Sequence, residues 1–220
     1  MVIITWISNN SIEVFGAVTG IIYVFLEIRQ TIWLWPVGIV TSTVYIWVFF
    51  VSKIYADMSL QVYYLIISVL GWYWWVSGSG KGVKKQGGGQ STEAENGRMV
   101  EGEKEELQVT RLKLRTGIVL AVVFVILYIA MWLVLTRLTD SPVPVRDAFI
   151  TSLSIIATWM LARKIYEHWY LWIVVNFVSA VLFLARGLYP TVILYIVYGI
   201  MSFAGLIEWK KTIPHSPTPR

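Results

Sequence analysis

Seven stretches of about twenty mostly apolar residues run through this chain, each long enough to cross a hydrocarbon core roughly 30 Å thick. They cover approximately Ser11–Leu26, Ile32–Val51, Met58–Val76, Gly117–Thr136, Asp147–Ala162, Trp169–Ala185 and Pro190–Glu208. In 220 residues that leaves little else. Apolar letters make up 57% of the chain and charged ones 14%, against about 25% charged in an ordinary soluble domain. A water-soluble fold of this size could not cover so much apolar surface. The pattern predicts an all-α polytopic membrane protein with seven transmembrane helices. The first stretch carries Glu13 and no basic residue at its start, so it does not read as a cleaved signal peptide.

The net charge of +5 resolves into an orientation. On one set of alternate loops lie fourteen Lys and Arg residues, eight of them between the third and fourth spans. The other set holds four: Lys53, Arg137, Arg146 and Arg186. Basic loops stay in the cytoplasm. The N-terminus is therefore expected outside and the C-terminus inside, and the charge gives no reason to expect nucleic acid as a partner. Residues 77–116 are predicted to be a flexible cytoplasmic linker, for the stretch Ser77–Glu106 is rich in Gly and charge. Its Gly80-Lys81 pair is no phosphate loop, because the motif's first Gly would fall at Trp75. Cysteine is absent, and the two histidines, His168 and His215, lie far apart, which argues against a metal site. No cofactor is expected.

Shifted by 134 residues, the chain overlays itself without a gap: positions 13–75 fall on 147–209, with fifteen identities in 63 positions. Arg29/Arg163, Trp35/Trp169, Tyr64/Tyr198, Ser68/Ser202, Gly71/Gly205 and Trp75/Trp209 are the least easily ascribed to shared hydrophobicity. Spans 1–3 match spans 5–7 as units, 11–76 against 147–209. The connecting span, 117–136, restores the starting side, so both units run the same way. This predicts 3+1+3 parallel repeats of the SWEET type, followed by a cytoplasmic tail at 210–220. Transporters built from repeats bind substrate near mid-membrane, between the repeats.

Polar residues point to the same interface. Gln61, Tyr64, Ser68, Gly71, Trp72 and Trp75 share one face of span 3. Tyr195, Tyr198, Ser202, Gly205 and Trp209 form the matching face of span 7. Trp172, Asn176 and Ser179 lie on one face of span 6, where span 2 offers Gly38, Ser42 and Tyr45. Asn176 and Gln61 need hydrogen-bond partners in a nearly dry place, from a ligand or from a neighbouring helix. Ser68/Ser202 and Gly71/Gly205 read chiefly as close helix packing. Trp33, Trp35, Trp74, Trp75, Trp169 and Trp209 read as an interfacial aromatic belt. Every Asp, Glu, Lys and Arg in the spans lies near an end, Glu27 included, and His168 is expected at a membrane edge. Without a buried carboxylate or His relay, passive transport is favoured. No nucleophile–base pair or carboxylate pair suggests an enzyme.

The segments YADMSLQVYYLIISVLGWYWW (Tyr55–Trp75) and RKIYEHWYLWIVVNFVS (Arg163–Ser179) resemble the PnuC family of nicotinamide riboside transporters. Tyr-Ala-Asp and Gln61 of span 3, its Gly-Trp-Tyr-x-Trp close, and Trp-x-x-x-Asn of span 6 carry the likeness. The resemblance implies a 3+1+3 fold, a homotrimer in the bilayer of the bacterial plasma (inner) membrane, and facilitated diffusion of a dephosphorylated vitamin precursor. A cytoplasmic kinase would trap that substrate. It also implies substrate-binding roles for Trp172, Asn176 and Gln61, to which the shared faces add Tyr64, Trp72 and Tyr198. Thiamine and riboflavin are the alternative substrates within the family, and a membrane scaffold or receptor is the reading outside transport. A pyridinium over a Trp face gains about 0.5–2 kcal/mol, and the amides match a carboxamide or ribose hydroxyls.

Overall fold

The computed structural model describes residues 11–51, 55–77, 107–138 and 143–213. The side chains of residues 11–13, 55–57 and 138 lie outside the description, and so do the tail beyond 213 and linker residues 78–106. Seven helices make up the described part: α1 Ser11–Ile28, α2 Leu34–Val51, α3 Tyr55–Ser77, α4 Leu114–Leu138, α5 Pro144–Ala162, α6 His168–Ala185 and α7 Tyr189–Thr212. Five of them (α2, α4, α5, α6 and α7) are long and apolar enough to cross a membrane on their own. α1 is a shorter apolar helix, and α3 carries Gln61 and several tyrosines that lower its hydropathy. Several helices extend a turn or so beyond the apolar stretches, because interfacial polar residues continue the hydrogen-bond ladder. Pro144 and Pro190 start α5 and α7 in first-turn positions where the missing N–H costs nothing.

Within each group of three, the second and third helices pack together, α2 on α3 and α6 on α7. The groups meet where α1 lies against α7 and α3 against α5. α4 packs on α5 alone among the described elements. Nothing in its spanning stretch is buried, so an apolar face remains for lipid or another chain.

The ends of α1 and α5 are built alike. Gln30 and Lys164, 134 residues apart, both adopt a left-handed backbone, with φ of 53° and 50°. In each turn the next residue's N–H reaches back five residues, Thr31 to the Leu26 carbonyl (3.1 Å) and Ile165 to that of Met160 (2.9 Å). Closing bonds of this sort satisfy helix-end carbonyls. Neither position is glycine, so both turns hold a conformation that costs a side chain about 1 kcal/mol or more.

The core gathers at this end. Leu34, Trp35, Trp75, Leu161, Trp169 and Trp209 are buried in one cluster. Trp35 lies on Gly71 and Trp169 on Gly205, so closely that neither glycine has room for a Cβ. Trp75 Nε1 donates to the Ala162 carbonyl at 3.2 Å, and Trp209 Nε1 to the Glu27 carbonyl at 3.0 Å. This corrects the belt reading for four of its six tryptophans, which plug the bundle instead. Trp33 is 66% exposed, and Trp74 stacks under the Arg163 guanidinium at 4.8 Å.

The far end of the linker also departs from expectation. Thr110 pairs with the α5–α6 turn, its N–H donating to the Lys164 carbonyl (2.9 Å) and its carbonyl accepting from the Tyr166 N–H (3.0 Å). Leu112 N–H donates to the Glu167 carboxylate at 2.8 Å, and Val109 is buried in the core. Residues 107–113 are thus docked, and α4 begins immediately after them.

Candidate functional site

Between the two groups of three helices lies a cavity of about 470 Å³, within the usual size range of small-molecule sites. Six helices line it, α4 excepted. α2 and α3 contribute Gly38, Ser42 and Tyr45 with Gln61, Tyr64 and Ser68. α6 and α7 contribute Trp172 and Asn176 with Tyr195, Tyr198 and Ser202. The walls combine aromatic faces with hydroxyls and amides, and their period follows from one-face spacing on each helix.

Asn176, 6% exposed, donates from Nδ2 to the Ser202 hydroxyl at 3.1 Å. Ser202 in turn donates to the Tyr198 carbonyl at 2.8 Å, so the amide is held by a relay rooted in the backbone of α7. Among the described residues, the buried indole nitrogens of Trp172 and Trp169, both on the cavity wall, meet no acceptor. An indole N–H of this kind can donate to a ligand that comes within reach.

Of the six residues expected to bind substrate, Trp172, Asn176, Gln61, Tyr64 and Tyr198 come together on this cavity. Trp72 does not: it is 41% exposed and faces away from the cavity. Its neighbours explain this. Tyr64, Ser68, Gly71 and Trp75 define the buried face of α3, and Trp72 falls to its side once Gly71 and Trp75 are committed to packing against Trp35. Ser179 is buried yet not on the wall.

Sequence reasoning missed α1 and α5. Gly16, Gly20, Tyr23 and Glu27 run down one face of α1, and Ile150, Thr151, Ser154 and Thr158 down one face of α5. Both sets recur at helical spacing, the signal that could have found them. The tyrosine hydroxyls of Tyr45 and Tyr198 pack directly on Gly16 and Gly20, where a Cβ would collide. Glycine there lets two phenols approach the α1 backbone.

The larger correction concerns charge. Glu27 is 2% exposed and lines the cavity; its Oε1 lies 3.0 Å from His168 Nε2. His168, the first residue of α6, is wholly buried, with the rings of Trp169 and Trp209 each 4.7 Å from its own. A buried carboxylate–imidazole pair therefore exists, contrary to the expectation of none.

A helical bundle of membrane-spanning length, enclosing an aromatic and polar cavity between two groups of helices, has the build of a small-molecule carrier. The family described as nicotinamide mononucleotide transporter matches residues 10–211, and the chain belongs to it. The nicotinamide riboside transporter PnuC of Escherichia coli (strain K12) is 25% identical over 222 residues, covering 90% of this chain and 84% of that protein. The riboflavin/roseoflavin transporter RibM of Streptomyces davaonensis is also 25% identical, over 198 residues, with 90% and 83% covered. The crystal structure of the vitamin B3 transporter PnuC matches the fold with a TM-score of 0.68 at 22% identity, covering 96% of this chain and 85% of that one.

Proposed function

We propose that this protein carries nicotinamide riboside, a dephosphorylated vitamin precursor, across the bacterial inner membrane, feeding NAD synthesis once a cytoplasmic kinase has phosphorylated it. One observation carries the choice of riboside over nucleotide: among the described residues, the cavity wall holds no Lys or Arg. A phosphate dianion moved into such a place would lack the charge-assisted donors it requires. Trp172 stacks on the pyridinium and donates from its free Nε1, while Asn176 and Gln61 hydrogen-bond carboxamide and ribose. Tyr64 and Tyr198 close the aromatic walls. Riboflavin is the second reading, favoured by the 25% identity to RibM; thiamine is a third cargo, and a membrane scaffold without a ligand would leave the Trp172 indole donor without a role.

The 3+1+3 parallel repeat draws support from the paired turns at Gln30 and Lys164 and the paired Trp–Gly contacts, and the fourteen-to-four bias of basic residues favours the N-terminus outside and the C-terminus inside. The bare apolar face of α4 suits a homotrimer contact. Transport is read as passive facilitated diffusion, because the carboxylate–imidazole pair found beside the cavity among the described residues is matched internally and needs no ion from solution.

Calorimetry on the purified protein tests the substrate. Nicotinamide riboside should give heat, and its 5′-phosphate, nicotinamide mononucleotide, should give none. Equal binding of the phosphate, or heat with riboflavin alone, would overturn the assignment. Uptake into vesicles should survive collapse of the proton and sodium gradients.

A further inference from the structure

Among the described residues that line the cavity, Glu27 alone carries a carboxyl group, and none carries a cationic side chain. The state of its pair with His168 follows from geometry. His168 Nδ1 stands 2.7 Å from the Ile165 carbonyl, which can only accept, so Nδ1 bears a hydrogen. Nε2 faces Glu27 Oε1 at 3.0 Å, and two bare lone pairs would repel there. One proton is therefore shared between carboxyl and imidazole, and the pair is neutral overall. Its two ends differ in position. The carboxyl is part of the cavity wall, whereas the imidazole is sealed behind it by Trp169 and Trp209. The pair is a dipole with its negative end toward the cavity.

Helix packing does not call for such a pair. The positions 134 residues away, Leu161 and Leu34, are fully buried leucines in the same core. Buried ion pairs are often replaceable by apolar residues without loss of stability. A polar pair kept at one of two equivalent places, and turned toward a cavity, suits a ligand better than it suits the scaffold.

We propose that Glu27, backed by His168, reads the positive charge of the substrate, so that a cationic nucleoside is preferred over a neutral one of the same shape. This rests on the riboside reading above. A neutral dipole suits a carrier: it attracts a cation by polarising toward carboxylate and imidazolium, yet leaves no uncompensated charge to block release. Glu27 acts as a specificity residue, and His168 as a positioning residue behind it.

The test compares Kd for nicotinamide riboside with Kd for benzamide riboside, in which carbon replaces the pyridinium nitrogen. The wild type should favour the cation by at least about tenfold, with stacking on Trp172 and the Glu27 carboxyl each supplying a share. Glu27→Gln should lower the ratio by about fivefold or more by weakening the cation alone, leaving only the share due to stacking, and Glu27→Asp should retain part of the difference. Should Glu27→Gln fail to fold, the double variant Glu27→Leu with His168→Leu copies the Leu161 and Leu34 pair and should lower the ratio as far. A wild-type ratio near one, or an unchanged ratio in either folded variant, would overturn the proposal. Failure of the wild type to bind either nucleoside overturns the riboside reading and this inference with it.

Discussion

Asn176→Ala separates ligand recognition from helix glue. The wild-type amide spends one N–H on Ser202 at 3.1 Å, and Ser202 keeps its own donor satisfied on the Tyr198 carbonyl at 2.8 Å. Truncation therefore strands no buried donor on α7. It removes one interhelical hydrogen bond, of a kind that averages about 0.6 kcal/mol within membranes. The fold should lose little. Binding should lose more, because a substrate amide or hydroxyl would face a wall without a partner, at a cost of about 1–3 kcal/mol, or roughly 5- to 150-fold in Kd. Calorimetric Kd and the detergent melting temperature, measured on one preparation, give both quantities. Ser202→Ala adds a control: it frees the amide to turn, so Kd should weaken by less, and the double variant should be less than additive. A melting temperature lowered by many degrees with Kd unchanged would refute the reasoning, since the amide would then be only a strut.

Trp172→Phe keeps a stacking face but removes the unpartnered indole donor; affinity should fall by about 1 kcal/mol, and by more in Trp172→Ala, as read by calorimetry. Gly71→Ala and Gly205→Ala should each destabilise the fold by about 1–3 kcal/mol in thermal melts, since a methyl group would strike the Trp35 or Trp169 ring. Gly38→Ala places a Cβ 2.8 Å from the Ser68 hydroxyl and 3.1 Å from the Tyr23 ring, so it should slow uptake of the bulkiest substrates first in a competition assay. Thr110→Pro removes the N–H that joins the docked linker end to Lys164; protease should then cut near residues 107–113 faster than in the wild type, while binding stays intact.

Hydropathy located every helix, because twenty apolar residues leave a chain in lipid little choice but to satisfy its own backbone. The faces of α3, α6 and α7 were equally legible: Gln61, Tyr64, Asn176 and Tyr198 repeat at helical spacing and reach the same cavity. What the pattern did not reveal was burial at the helix ends. Trp35, Trp169 and Trp209 stand near helix ends, where a belt is the ordinary reading, yet Gly71 and Gly205 leave flat hollows into which two of these rings sink. The hollows are tertiary, since each glycine and its ring lie on different helices. Glu27 was misplaced for the same reason. One residue from the end of α1, a carboxylate reads as solvated. Here the turn at Gln30 folds the chain back beneath it, and His168, from 141 residues further on, arrives at 3.0 Å to take the place of water. The hydrogen-bonding demand of a single residue was visible, but the residue that meets it was not. A charge at a span end is therefore best judged by what the other repeat holds at the same position. Two leucines at positions 34 and 161 show that this end of the bundle is dry, so a carboxylate in the matching place must find a partner within the protein.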